Sequence, residues 1–229
     1  MRTRSSLPAL ALSCFLLPAA ASAAPVLYQA VLDPANGSGV TGTANFSLDG
    51  DILSFSLVAN NVVAGQTHLL HVHGKDIAPG VPLDTPAPPP PVPPNGDADG
   101  NGVVTTPEAI AQIGPVILSL AEHAPGTKAE LLGVTAATTT LLYTASFDLS
   151  QNPTEPGFTR ADLLPLDFRV FDMHGGIVPA GPGARTYDVN LPVAAGAITL
   201  VAVPEPASMT LMLTGVLGLG LARRRRRAA

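Results

Sequence analysis

T-G-T-A-N-F-S-L-D-G-D-I-L-S-F-S-L-V-A, residues Thr41 to Ala59, is the stretch that decides the fold. From Thr41 to Leu48 every second residue turns apolar, so that Ala44, Phe46 and Leu48 share a face. After the turn, Leu53, Phe55 and Leu57 alternate with Ser54 and Ser56. A period of two puts one set of side chains on each side of a pleated strand. Apolar on one side and hydroxyl on the other is the mark of a half-buried antiparallel strand. Asp49-Gly50 lies between the two runs, and both residues tolerate the positive φ that a tight hairpin turn demands.

The same grammar extends outward. Val26 to Leu32 is a β-branched and apolar run that stops at Asp33-Pro34 and the turn Asn36-Gly37-Ser38-Gly39. Gln66 to His73 follows Asn60-Asn61 and Gly65, and further runs cover Thr139 to Leu149, Leu166 to His174, Arg185 to Leu191 and Ala197 to Val201. About eight short strands with turn residues between them predict a mainly β chain folded as an antiparallel β-sandwich. Two interruptions break the series. The larger, an insert over residues 79–130, opens with the proline-rich stretch Pro86 to Pro94, which reads as extended polyproline. A short helix is expected from Pro107 to Ile113, ended by Gly114-Pro115. Val116 to Leu120 reads equally well as a strand or as another helical turn. The smaller interruption, Thr159 to Leu164, reads as one helical turn with a threonine N-cap.

The two ends read as addresses. Arg2 and Arg4 precede an apolar run, Leu7 to Leu17, and the small-residue site Ala21-Ser22-Ala23. This is the layout of a signal peptide, residues 1–23, cleaved by signal peptidase. Cys14, the one cysteine, lies inside it. The mature chain then has no disulfide to rely on, and a packed core or a metal must stabilise it. At the other end stand Pro204, Glu205 and Pro206, an apolar helix over residues 207–222, and five arginines, Arg223, Arg224, Arg225, Arg226 and Arg227. About 16 apolar residues make a helix of ~24 Å, slightly short for a bilayer core of ~30 Å. Positive charge at one end alone keeps that end in the cytoplasm and leaves the body outside. Residues 24–202 form the exported body. With the addresses removed it holds five basic and 16 acidic residues, a net charge near −11. Such a surface repels nucleic acid and attracts divalent cations.

Two stretches of the body carry chemistry. Asp97-Ala98-Asp99-Gly100-Asn101-Gly102-Val103-Val104-Thr105-Thr106-Pro107-Glu108 fits the calcium-loop pattern D-x-[DN]-x-[DN]-G-x5-E at every defined position. Asp97, Asp99 and Asn101 offer side-chain oxygens, Val103 its carbonyl, Thr105 an oxygen directly or through water, and Glu108 a bidentate carboxylate. Gly102 permits the sharp turn, and Thr106 and Pro107 suit the N-cap and first position of the helix that presents Glu108. A proline-rich stretch stands where an EF-hand has its entering helix, which points to a structural calcium loop. The second stretch is His68-Leu69-Leu70-His71-Val72-His73-Gly74. In a strand His71 and His73 share a face and His68 points away. Met173-His174-Gly175-Gly176 ends another strand in a similar way. If the two ends converge, His71, His73 and His174 make a three-imidazole site for zinc or copper. On the residues alone, histidines that bond backbone and hold loops are the favoured reading. Asp162, Asp167 and Asp172 read as scattered acids, and no nucleophile–base signature is visible.

The tripartite tail resembles the PEP-CTERM sorting signal of Gram-negative bacteria. That resemblance implies anchoring in the inner membrane, cleavage near Pro204-Glu205-Pro206 by an exosortase, and a final place at the cell surface or outside the cell, in association with exopolysaccharide or biofilm. The strand pattern Tyr28 to Leu32, Gly42 to Leu48 and Leu53 to Leu57, followed by His71-Val72-His73-Gly74, is similar to the CHRD (chordin-type) domain. Leu163 to Leu166, Met173 to Gly176 and Leu191 to Gly196 extend the similarity. It implies an Ig-like, Greek-key β-sandwich. The expected function is thus a non-enzymatic, calcium-stabilised surface protein. The alternative is a dismutase-like copper/zinc enzyme using His71, His73 and His174, since His-x-His-Gly also resembles copper-zinc superoxide dismutase.

Overall fold

Val26–Pro34 (β1), Thr41–Asp49 (β2) and Ile52–Asn60 (β3) form an antiparallel meander, with the hairpin closed at Asp49↔Ile52. Gly50 supplies the positive φ, +59°, that the turn requires. These strands belong to a computed structural model that describes residues 24–78, 81–82, 96–179 and 185–201. The segments read from the sequence as signal peptide, polyproline stretch and apolar tail helix lie outside the described residues. Among the described residues no helix is long and apolar enough to cross a membrane.

The remaining elements follow in chain order. They are Thr67–His73 (β4), Asp76–Ala78 (β5), Val81–Pro82 (β6), Thr106–Ile113 (α1), Val116–Ser119 (β7), Gly133–Thr135 (β8), Thr140–Asp148 (β9), Arg160–Leu163 (α2), Val170–Pro179 (β10), Arg185–Ala197 (β11) and Thr199–Leu200 (β12). All the strand pairs are antiparallel. One layer runs β12-β1-β2-β3-β9 and the other β11-β10-β4-β7, with β8 on the first half of β4. The end of β1 joins them by pairing Asp33 and Pro34 with Ala195 and Ala194 of β11. Gly196 lies at this junction. A Cβ there would stand 2.2 Å from the Val31 carbonyl oxygen, so only glycine lets β11 pass so close to β1.

The layers meet through the faces that the alternation marked. Phe46, Leu53, Phe55 and Leu57 are buried, and Phe171 of β10 comes from the opposite layer to meet them. Its ring centroid lies 6.5 Å from that of Phe46 and 5.8 Å from that of Phe55. The architecture is mainly β, antiparallel and consistent with a β-sandwich.

Several boundaries differ from the sequence reading. The run Leu166 to His174 is not one strand: Leu166–Phe168 is a 3-10 turn, and β10 begins at Val170. Pro165 opens that turn, its carbonyl accepting from Phe168 N. Strand β11 does not stop at Leu191. Pro192 has no N–H to give, but it faces His174 at a register shift in the ladder, where regular pairing is already broken. Val116 to Leu120 resolves to strand β7, paired with His71–His73. The insert is therefore not a detached excursion. It supplies an edge strand and, through α1, a cover for the outer face of the second layer. That cover explains β4, which is buried on both faces from His68 to His73. Leu70 and Val72 face the sandwich core, while His71 and His73 face the insert.

Candidate metal centres

The carbonyl of Asn190, in β11, accepts from two directions. Thr106, the first residue of α1, donates its hydroxyl at 2.6 Å, and His174 donates Nδ1–H at 2.7 Å. One oxygen thus ties together the two sites anticipated from the sequence.

The first is the calcium-type loop. Asp97, Asp99 and Glu108 each bring a carboxylate oxygen within 4.8 Å of the others. Glu108 reaches back across the loop. One oxygen accepts from Ala98 N at 2.8 Å, and the other accepts from Thr105 N at 2.8 Å and Thr105 Oγ1 at 2.7 Å. Those bonds hold its carboxyl at about 2, well below the ordinary range. Asp97 accepts from Asn101 N and Gly102 N, and Asn101 Oδ1 accepts from Val103 N. Gly102 has φ +86°, as a sharp turn requires. The cap is shifted by one residue from the reading. Thr105 is the N-cap, Thr106 is N1 and Pro107 is N2. Thr105 therefore gives its hydroxyl to Glu108. Asn36 fastens the loop to the sandwich. Its Oδ1 accepts from Val104 N at 2.7 Å, and its Nδ2 donates to Val104 O and Pro192 O at 2.8 and 2.9 Å. Val104 itself is buried, which pins the loop to the core.

The second site is the histidine cluster, and the structure brings all three residues together. His71 and His73 stand on the outer face of β4. His174 stands on the adjacent β10, and one ring nitrogen from each lies within 4.8 Å of the others. All three are buried. Each ring donates its other nitrogen to a backbone carbonyl: His71 Nε2 to Glu130 O at 2.6 Å, His73 Nδ1 to Gly114 O at 2.9 Å, and His174 Nδ1 to Asn190 O. A carbonyl only accepts, so those nitrogens carry the hydrogens. The loop-holding bonds expected of these histidines are present. They also orient the rings, leaving His71 Nδ1, His73 Nε2 and His174 Nε2 facing inward without hydrogen-bond partners.

Sequence reading missed the fourth member. Asp172 is fully buried on the same face of β10 as His174 and pairs across the ladder with His71. Its Oδ2 lies 3.0 Å from His174 Nε2 and 3.8 Å from His73 Nε2, yet neither carboxylate oxygen has an aligned hydrogen bond. The signal was available. Asp172-Met173-His174 has the same i, i+2 spacing as His71-Val72-His73, so each strand offers a pair on one face. Burial, with the nearby His174 and His73, pushes His71 down to about 3, and burial also lowers His73. Both rings are thus neutral. Burial opposes the charging of His174, but the Asp172 carboxylate raises it, and burial's upward pull on Asp172 is overcome by His174. The other two histidines stand apart. His68 has both nitrogens against carbonyls, those of His174 and Val63, and His123 faces those of Ala121 and Pro153.

Comparison with known proteins bears on the tail. Residues 202–227 match the family described as the PEP-CTERM protein-sorting motif. Comparison with curated proteins returns no match. The motif implies export, a membrane-anchored stage, processing by an exosortase and then a place at the surface. Intact mass of the protein from an exosortase-bearing host should accordingly show loss of the segment after Pro204-Glu205-Pro206. Substituting that triplet should leave the tail on, and a mature protein still ending in the arginines would contradict the sorting role. Over residues 202–227, and there alone in these comparisons, the chain is similar to the PEP-CTERM protein-sorting motif of exosortase substrates.

Proposed function

We propose that the exported body is a non-enzymatic, CHRD-like module of the bacterial cell surface or biofilm matrix, an Ig-like Greek-key sandwich organised by calcium. The observation that carries this reading is the folded loop, in which three carboxylates converge while Asn36 and Val104 fasten the loop to the sandwich. Calcium suits the oxygen donors of such a loop, and its two charges offset the repulsion among Asp97, Asp99 and Glu108. Export, which the sorting motif implies, is compatible with the same assignment. The outer face of the first layer supports a neutral, hydroxyl-rich partner such as exopolysaccharide. Two cross-strand rows, Gln29-Asn45-Ser56-Thr144 and Leu27-Ser47-Ser54-Ser146, line an open groove of ≈ 660 Å³. Seven of those eight side chains are uncharged hydrogen-bonding groups.

Calcium titration of the melting temperature tests the proposal. A ligand bound by the folded state alone stabilises it by RT ln(1 + [L]/Kd). With the Kd of about 10⁻⁴ to 10⁻³ M usual for extracellular modules, millimolar calcium adds about 1 kcal/mol. The melting temperature then rises by roughly 2–4 °C for a chain of this size. Asp97→Ala and Glu108→Ala should remove the rise. Equal melting of wild type and both variants, with calcium or with chelator, would leave the loop as an acidic turn.

The dismutase-like reading is favoured by one observation, the convergence of three imidazoles. A copper/zinc pair would need a second set of ligands beside the first, and His68 and His123 are committed to carbonyls elsewhere. The cluster is suited to a single ion.

A further inference from the structure

The buried group His71, His73, His174 and Asp172 has the makeup of a complete coordination shell. We infer that it is a mononuclear zinc centre, with His71 Nδ1, His73 Nε2, His174 Nε2 and one Asp172 carboxylate oxygen as its four ligands. This assignment is independent of the calcium loop, which takes a harder cation through oxygen donors alone.

Four observations carry it. The first is the donor set. Three imidazoles and a carboxylate suit a borderline-soft divalent ion, and a closed shell of four protein donors is the usual arrangement of a non-catalytic zinc. The second is orientation. All three histidines present a lone pair to one point because a carbonyl holds the opposite nitrogen of each ring. Metal-binding histidines are held in this way, by a hydrogen bond that fixes tautomer and ring direction. The third is distance. Donors about 2.0–2.1 Å from a tetrahedral zinc lie about 3.3–3.4 Å from one another. The Asp172 Oδ2 separations of 3.0 and 3.8 Å from His174 Nε2 and His73 Nε2 bracket that value. The three ring nitrogens lie within 4.8 Å of one another, and Asp172 stands beside two of them, so closure of all four on one ion asks for side-chain adjustment. The fourth is the number of buried polar atoms left without a hydrogen bond. Five buried polar atoms, His71 Nδ1, His73 Nε2, His174 Nε2 and both Asp172 oxygens, have no hydrogen bond. A carboxylate taken out of water with ion-pair contacts to histidine and no aligned hydrogen bond is costly. A cation held between it and the three ring nitrogens lowers that cost.

The insert completes the site. Helix α1 lies over the outer face, with Ile113 packed on Val170 and Ala195. Its C-cap residue, Gly114, accepts from His73, and its first residue, Thr106, shares the Asn190 carbonyl with His174. Glu130, further along the insert, accepts from His71. Each ligand histidine is therefore positioned either by the insert or by a carbonyl that the insert also grips. A cavity of ≈ 140 Å³ lined by Thr106, Ile110, Val116 and Leu131 reaches the three rings and provides the route by which an ion enters.

The test uses the full chain recovered after export, stripped of transition metal and then titrated with zinc, copper and cobalt separately, in millimolar calcium. We expect one zinc per chain by elemental analysis. Cobalt at the same stoichiometry should give the intense visible bands of a tetrahedral site, bleached by added zinc. Asp172→Asn, nearly equal in shape, should weaken zinc binding at least tenfold. His123→Ala, a half-buried histidine whose ring nitrogens face the Ala121 and Pro153 carbonyls, should bind zinc as the wild type does. Absence of stoichiometric zinc in the wild type would overturn the assignment, as would the weak spectrum of six-coordinate cobalt. Copper in place of zinc in the protein as recovered, before stripping, would replace zinc with copper in the assignment; competition between added ions does not decide, because copper outcompetes zinc at most such sites. Loss of zinc in His123→Ala equal to that in Asp172→Asn would assign the effect to folding. The wild-type cobalt spectrum then decides alone.

Discussion

Arg169→Ala should cost the protein about 3–5 kcal/mol, because buried carbonyls that lose their donor cost about 1–3 kcal/mol each. Arg169 is fully buried just before β10, the strand that carries Asp172 and His174. Its guanidinium donates to three carbonyls: Leu163 O through Nε at 3.2 Å, Lys75 O through Nη1 at 3.2 Å, and Asp162 O through Nη2. The planar fork thereby binds α2 and the end of β4 to the start of β10. Truncation leaves those carbonyls without their donor in a place where water does not readily replace it. For a chain of this size the melting temperature should fall by roughly 10 °C. Arg169→Lys should restore only a part, because an ammonium cannot reproduce the fork. Gly74→Ala should act at the same place, since its Cβ would stand 2.4 Å from Arg169 Cδ. Thermal melts and urea titrations of the three variants check this. Arg169→Ala melting within 2 °C of wild type would rule out the structural role (about 1 kcal/mol or less at this size).

Phe171→Ala should be comparably damaging, at about 3–5 kcal/mol. Phe171 is fully buried and is the ring through which the second layer meets Phe46 and Phe55 of the first. Its loss opens a cavity between two sheets whose strands are held by their ladders and cannot close over it. Aromatic pairs add about 0.5–1.5 kcal/mol beyond area. Phe46→Ala and Phe171→Ala should therefore combine to less than the sum of their separate costs. Phe171→Leu, which fills much of the space, should cost markedly less. The position also reaches the proposed zinc site. Phe171 and Asp172 are neighbours on opposite faces of β10, so the ring that anchors the strand to the core sets where the carboxylate stands. Denaturant unfolding measures the stability loss, and the same samples titrated with zinc should bind it more weakly. An unchanged zinc affinity in a folded Phe171→Ala protein would separate the core from the site.

Much of the architecture was legible because its cause is local. The alternation at Leu53, Phe55 and Leu57 needs nothing beyond the period of a strand, and Asp49-Gly50 needs nothing beyond the conformational freedom of its turn. The calcium-type loop was readable for the same reason, since Asp97, Asp99, Asn101, Gly102 and Glu108 lie within one short segment whose spacing is its geometry. The cap was misplaced by one residue because Thr105 and Thr106 are chemically alike. Only the back-bond from Thr105 to Glu108 separates them. The end of β11 was misplaced because proline usually stops a strand, and the register shift that tolerates Pro192 belongs to the partner strand.

What the sequence determined by itself is what neighbours along the chain set: the sorting motif, the β class, the hairpin, the acidic loop and the shared face of His71 and His73. Only the tertiary structure decided that β4 and β10 lie side by side. It alone placed Asp172 opposite His71 and brought His174 to the same point from a hundred residues away in the chain. It also turned the insert into the cover of that site. Strand pairing is a long-range choice made by the packing of Phe171, Leu70 and Val72 against the opposite sheet. The residues on the reverse face are then brought together by a core to which they do not belong.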